Sequence, residues 1–231
     1  MSTEKQIRQM VQPLLARHTD LAYLNRRLIL KPVTHVFRSV LLDRTAYAHS
    51  YEPAYGVQFL SRPNGAQGIG WGGRLHYPIE TGWNINKPAS TQNFYDVFEN
   101  DALPQLREIT SISDMLAFNR SRGGWGFELK NFPFARAFID LALGKFDAAE
   151  EALAEIQHSY DLSVENDKNL LKGFDPDAPF YLKQLNILKP LVLSNDKKFV
   201  AQALHRFEED SVKAHKIEHL WERTPFPLEL D

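Results

Sequence analysis

The sequence predicts an α+β protein, with an N-terminal helix and antiparallel sheet followed by a largely helical C-terminal half. Three observations lead there. Apolar residues near the N-terminus recur at helical spacing, β-branched and aromatic residues concentrate over roughly residues 27–90, and most of the second half follows the helical period. Strands and helices do not alternate, which argues against a doubly wound parallel sheet. With 231 residues the chain can form one domain over 1–231. The alternative is a subdivision into an α+β part, 1–130, and a helical part, 131–231.

Ile7, Met10, Val11, Leu14 and Leu15 place an amphipathic helix over residues 3–17, with Ser2 or Thr3 as cap and Pro13 predicting a kink or early break. "RLILKPVTHVFRSVLLDR" and "YGVQFLS" read as two to four antiparallel strands. "RLHYPIETGWNI" reads as a further hairpin, with Pro78 confining its strand to an edge. "STQNFYDVFENDALPQLREI" predicts two short helices broken at Pro104, and "SISDMLAFN" a helix capped by Ser111 or Ser113. "FARAFIDLALGKFDAAEEALAEIQ" is a helical hairpin joined around Gly144. Residues 165–179 read as a loop, two further helices follow, the second taken through "HKIEHLWER", and the proline-punctuated end "TPFPLELD" reads as extended.

A net charge of -2 gives no electrostatic footprint for nucleic acid or an anionic membrane. The absence of cysteine excludes disulfides, thiolate metal sites and a cysteine nucleophile. No stretch of 18 apolar residues occurs, and charges at Glu4, Lys5 and Arg8 interrupt the apolar run that a signal peptide requires. The expectation is a cytoplasmic protein with no membrane or nucleic-acid partner and no cofactor.

Two motifs carry candidate chemistry. "GIGWGG", residues 68–73, has the G-x-G-x-x-G spacing of a dinucleotide-binding turn, but an extended, proline-containing segment follows where a helix N-terminus is needed. It reads as a hairpin turn or loop. Trp71 in this stretch, Trp125 in "SRGGWGFE" and the nearby Tyr77 are aromatics beside glycines, a pattern suited to anchoring a protein partner. "HKIEH", residues 215–219, is an H-x-x-E-H sequence. On a helix it would set His215 and His219 one turn apart as metal ligands, with Glu218 as general base. Two small basic clusters, "NRR" at 25–27 and "RSRGG" at 120–124, are short enough to be surface arginines, although a phosphate-binding role is conceivable for them.

"WNINKPASTQNFYDVFENDALPQLREITSISDMLAF" joins a tryptophan-bearing strand, an acidic helix running into "ALPQLREI", and a short "ISDMLAF" helix. Together with "LALGKFDAAEEAL" it resembles an uncharacterised bacterial domain-of-unknown-function family that begins with a helix and an antiparallel sheet. The similarity spans residues 3–157 in order of elements. The "LALGKFDAAEEAL" hairpin equally resembles one tetratricopeptide-type unit, in a single copy. The resemblance carries over no catalytic residue; it implies an immunity or accessory protein. The expected function is therefore a non-enzymatic protein-binding module anchored by Trp71, Tyr77 or Trp125. The alternative is a metal-assisted hydrolase using His215, His219 and Glu218.

Overall fold

The computed structural model describes residues 2–63, 71–76, 82–121, 129–169 and 178–230. The protein is α+β, and its chain divides into two compact units. The first comprises Met1–Leu60, Ala66–Arg122 and Val212–Arg223; the second comprises Ser61–Gly65, Gly123–Ser211 and Thr224–Asp231. A late segment of the chain, Val212–Arg223, thus belongs to the first unit.

In the first unit, α1 (Glu4–Arg17) starts on a capping box: Thr3 Oγ1 accepts from the Gln6 N–H, and Gln6 Oε1 accepts from the Thr3 N–H. Its buried stripe of Ile7, Met10, Val11 and Leu14 carries the helix through Pro13 to Arg17. The break expected at Pro13 does not occur. Pro13 is exposed, so its ring is accommodated on the solvent side while the apolar stripe stays packed.

An antiparallel meander follows: β1 (Leu21–Leu24), β2 (Arg27–Leu30), β3 (Val36–Arg44), β4 (Tyr51–Phe59) and β5 (Trp71–Arg74), paired in that order. Asn25 and Arg26 turn the β1–β2 hairpin, both at positive φ (50° and 62°), as a two-residue loop with matching twist requires. Arg26 is held there by donating to the carbonyls of Leu42, Ser2 and Asp43 and to Ser2 Oγ.

Cross-strand register sorts the sheet into two faces. Leu28, Val40, Tyr55, Gly73 and, one pair further, Val57 and Trp71 share one face. Helices of the first unit meet it: Tyr51 packs edge-on to Phe94 of α2 (Pro88–Val97) at 5.9 Å, and Tyr55 lies 6.3 Å from Phe118 of α4 (Ile112–Ser121). Between α2 and α4 the chain continues through a π-helical turn, Phe98–Ala102, into α3 (Leu103–Glu108). Pro104 therefore sits in the first turn of α3, where its missing N–H costs nothing. Ser111 caps α4, accepting from the Asp114 N–H.

The opposite face carries Arg27, Ile29, Phe37 and Ser39. The stretch from Val212 to Arg223 lies against it. Val33 N–H donates to the Leu220 carbonyl (2.9 Å) and Glu222 N–H to the Val33 carbonyl (2.8 Å). Ile29, Val33, Phe37, Leu60, Val212 and Ile217 form one buried cluster, with Leu24, Leu220 and Trp221 packed at its border.

In the second unit, α5 (Pro133–Ala142), α6 (Phe146–Asn169), α7 (Ala178–Ser194) and α8 (Lys197–His215, to Ser211 within this unit) pack through short apolar stripes. Phe138 meets Phe134 and Phe207 at 5.0 and 5.7 Å. Gly144, at φ 73°, ends α5, as its sequence position predicts. Of the loop expected over 165–179, residues 165–169 belong to α6 and 178–179 to α7, while 170–177 lie outside the described residues. The expected extended end includes a 3-10 turn, Pro227–Glu229, tied to α8 by His205 Nε2 and Glu229 Oε2 at 2.8 Å.

Candidate functional site

The two sequence motifs fare differently. The last residues of "GIGWGG" belong to β5, and the described residues just after it, Leu75 and His76, are not helical; Gly68–Gly70 lie outside the described residues. The hairpin expected in "RLHYPIETGWNI" falls in part on residues 77–81, outside the described residues; among those described, β5 is Trp71–Arg74 and Asn84 makes an isolated bridge to Ser50. Gly72 faces Gly56 across the β4–β5 pair, and a Cβ on it would collide with the Tyr55 carbonyl oxygen and lie 2.6 Å from Gly56 Cα. Gly72, an intervening position of the G-x-G-x-x-G spacing, serves close backbone approach within the sheet. Trp71, on the same strand, is half-buried. Tyr77 and Trp125 lie outside the described residues.

"HKIEH" is not a continuous helix. Helix α8 ends at His215, Lys216 takes φ 60°, and Glu218–Leu220 form a separate 3-10 turn. Ile217 N–H donates to the Val212 carbonyl (3.1 Å) and Lys216 N–H to the Lys213 carbonyl (3.0 Å), a Schellman closure with the Val212–Ile217 apolar contact beneath it. The helical spacing that would make His215 and His219 joint ligands is lost. Glu218 and His219 are exposed, whereas His215 turns into the sheet face. Among the described residues no group of three or more His, Asp or Glu side chains is placed to hold a metal ion.

His215 instead lines a cleft of about 170 Å³ in the first unit. Leu24, Ile29, Phe37 and Ile217 supply apolar walls, and Asn25, Arg27 and His215 the polar groups; among the described residues no carboxylate lines it. The imidazole stacks on Phe37 with ring centroids 5.1 Å apart and planes at 26°. The Arg27 guanidinium lies 6.0 Å from the centroid of the same ring. Its Nη1 donates to Ser39 Oγ at 3.3 Å, and among the described residues it forms no ion pair. Burial pushes the Arg27 guanidinium below its ordinary pKa, opposed by the negative charge of Asp43. Burial, and then the charge of Arg27, hold the His215 imidazole below its own, so the neutral ring is favoured. The Nε2 atom of His215 is buried and has no hydrogen-bond partner among the described residues.

Two exposed arginines of this unit, Arg17 and Arg107, are paired with carboxylates. Arg17 donates to both carboxylate oxygens of Glu99 at 2.8 and 3.2 Å, and Arg107 to both of Asp20 at 2.8 and 2.9 Å. His18 joins these pairs, its Nε2 2.6 Å from Glu99 Oε1 and its Nδ1 3.2 Å from Arg107 Nη2. That cluster is internally satisfied; the Arg27 cleft is not.

Compared with family models, curated proteins and solved structures, the chain matches none. No helix among the described residues is long and apolar enough to cross a membrane. Sequence reading met both cleft residues in other guises, Arg27 inside "NRR" and His215 inside "HKIEH". It missed Phe37, which joins them.

Proposed function

We propose that the protein is a cytoplasmic, non-enzymatic protein-binding module, of the immunity or accessory type that its sequence resembles, acting by occlusion of its partner. The observation that supports this reading is the position of Trp71. It stands half-buried on β5, the strand at the end of the sheet order, one residue from a glycine that lets β5 lie close against β4. A half-buried tryptophan on a strand offers a large, rigid contact area at little entropic cost. A partner segment laid along β5 would cover the indole and gain main-chain hydrogen bonds at the sheet edge.

The test is capture of a partner by tagged wild-type protein and by Trp71→Ala, with thermal unfolding of both. The reading requires a stoichiometric partner that wild type retains and the variant loses, at a similar unfolding midpoint. If the variant unfolds, the indole belongs to the core and the reading fails. Retention of the partner by a folded variant also removes Trp71 as the anchor.

A further inference from the structure

We infer that the cleft between the β1–β2 hairpin and the end of α8 is a binding site for a small carboxylate with an apolar body. The site is separate from the β5 edge. Arg27 supplies the charge: it has five N–H donors in a planar fork, spends one on Ser39, and among the described residues meets no carboxylate in the cleft lining. Arg26, the neighbouring residue, shows the contrast, since its donors go to carbonyls and a hydroxyl that fix the hairpin. A half-buried guanidinium with free donors selects an anion, and a carboxylate matches its fork with two parallel bonds.

His215 lines the same cleft and supplies a second polar group, its Nε2 having no hydrogen-bond partner among the described residues. A neutral imidazole donates or accepts at that atom according to its tautomer, and a carboxylate oxygen takes its N–H. The remaining walls decide between carboxylate and phosphate. Leu24, Ile29, Phe37 and Ile217 make them apolar, and one guanidinium is poor compensation for removing a dianion from water. A monoanion carrying a ring or a branched chain gains both from the fork and from the Phe37 face. The volume fits such a body, since about 170 Å³ slightly exceeds the roughly 150 Å³ engineered cavity that takes benzene.

The carboxylate can be a free small molecule or the C-terminal residue of a partner chain, and the experiment separates these sources. Amide-resolved NMR titrations of the full chain use benzoate, benzyl alcohol as its uncharged counterpart, inorganic phosphate, and the tripeptide Gly-Gly-Phe as free acid and as amide. Each carboxylate that binds is expected to shift the amides of residues 24–29, 37 and 214–217 in saturable fashion, with dissociation constants on the order of 1 mM. Benzyl alcohol and phosphate should bind at least tenfold more weakly. Benzoate alone binding assigns a free ligand; tighter binding of the peptide acid, lost in its amide, assigns a chain terminus. Arg27→Gln should keep its amide spectrum elsewhere and lose binding at least tenfold, and Arg27→Lys should fall between. Absence of saturable shifts with both carboxylates, equal binding of the neutral counterpart, or full binding by folded Arg27→Gln would each overturn the inference.

Discussion

Lys216 offers a direct test of how the chain leaves α8, because the two geometries predict opposite signs for one substitution. With φ at 60°, Lys216 sits in the left-handed region that closes the helix, a position that glycine usually fills. An L-residue there costs roughly 1–2 kcal/mol. Glycine removes that strain, while the greater freedom it gives the unfolded chain takes back about 0.4–1 kcal/mol. Lys216→Gly should therefore stabilise the protein by about 0.5–1 kcal/mol, and Lys216→Ala should be neutral within about 0.5 kcal/mol because the side chain is exposed. Urea denaturation followed by tryptophan fluorescence reads this as a raised midpoint at unchanged slope. Were "HKIEH" a continuous helix, glycine would instead cost about 1 kcal/mol relative to alanine. A lowered midpoint for Lys216→Gly would refute the closure and restore the one-turn spacing of His215 and His219. Gly144 provides the converse control, since its N–H donates to the Leu141 carbonyl and Lys145 N–H to the Asp140 carbonyl in the same pattern.

Gly144→Ala is accordingly expected to lower stability by about 1 kcal/mol, and an unchanged urea midpoint would contradict the φ of 73°. Phe138→Ala removes a fully buried ring between Phe134 and Phe207 and should cost about 3–5 kcal/mol in the same assay; a loss below about 1 kcal/mol would mean the site is not packed as described. Gly72→Ala places a methyl group against the Tyr55 carbonyl and should cost about 1–3 kcal/mol and raise amide exchange across β4–β5, whereas unchanged exchange would place β5 elsewhere. Asp20 and Glu99 have pKa values lowered chiefly by their hydrogen bonds to Arg107 and Arg17. A carboxylate lowered on folding stabilises the folded state above its unfolded pKa of about 4 and loses that contribution as pH falls through the folded value. Because these pairs are partly solvent-exposed, Asp20→Asn should cost less than about 1 kcal/mol at pH 7 and nothing below the folded pKa; equal loss at both pH values in acid titration would assign Asp20 a packing role instead.

Local chemistry was legible where one residue type answers one backbone demand. Thr3 with Gln6, Ser111 with Asp114, and Gly144 each occupy the position their element requires, and the apolar stripes of α1 and α5 were readable from period alone. Pro104 does stand in the first turn of the second of two short helices, whereas Pro13 misled because a proline reports a local cost and tertiary packing decides whether a helix tolerates it. The strands were visible as β-branched runs, but alternation in β3 was only partial for a physical reason: Val36 through Val40 are buried on both faces of the sheet. One of those faces is covered by residues 212–223, more than 170 positions later in sequence than Val40, and no local period reports such a pairing.

The same long-range return explains why the candidate site was half visible. Residue chemistry singled out "HKIEH" and "NRR" separately, as a helical metal motif and as surface arginines. The Schellman closure at Lys216 breaks the first motif, since a lysine occupies a position where sequence reading looks for glycine. By ending α8 there, it directs Ile217 into the core beside Val212 and leaves His215 stacked on Phe37, while Glu218 and His219 face solvent. The positive φ of Asn25 and Arg26 performs the matching operation on the other side, reversing the chain so that Arg27 enters β2 on the Phe37 face. Two left-handed turns, neither at a glycine, thus bring a cation and a histidine onto one aromatic ring. Strain at such positions is retained where the surrounding structure over-determines it. Here the hydrogen bonds of Arg26 and the Val212–Ile217 contact do so, which is why the cleft, rather than the motif that first drew attention to His215, is the place where ligand chemistry should be sought.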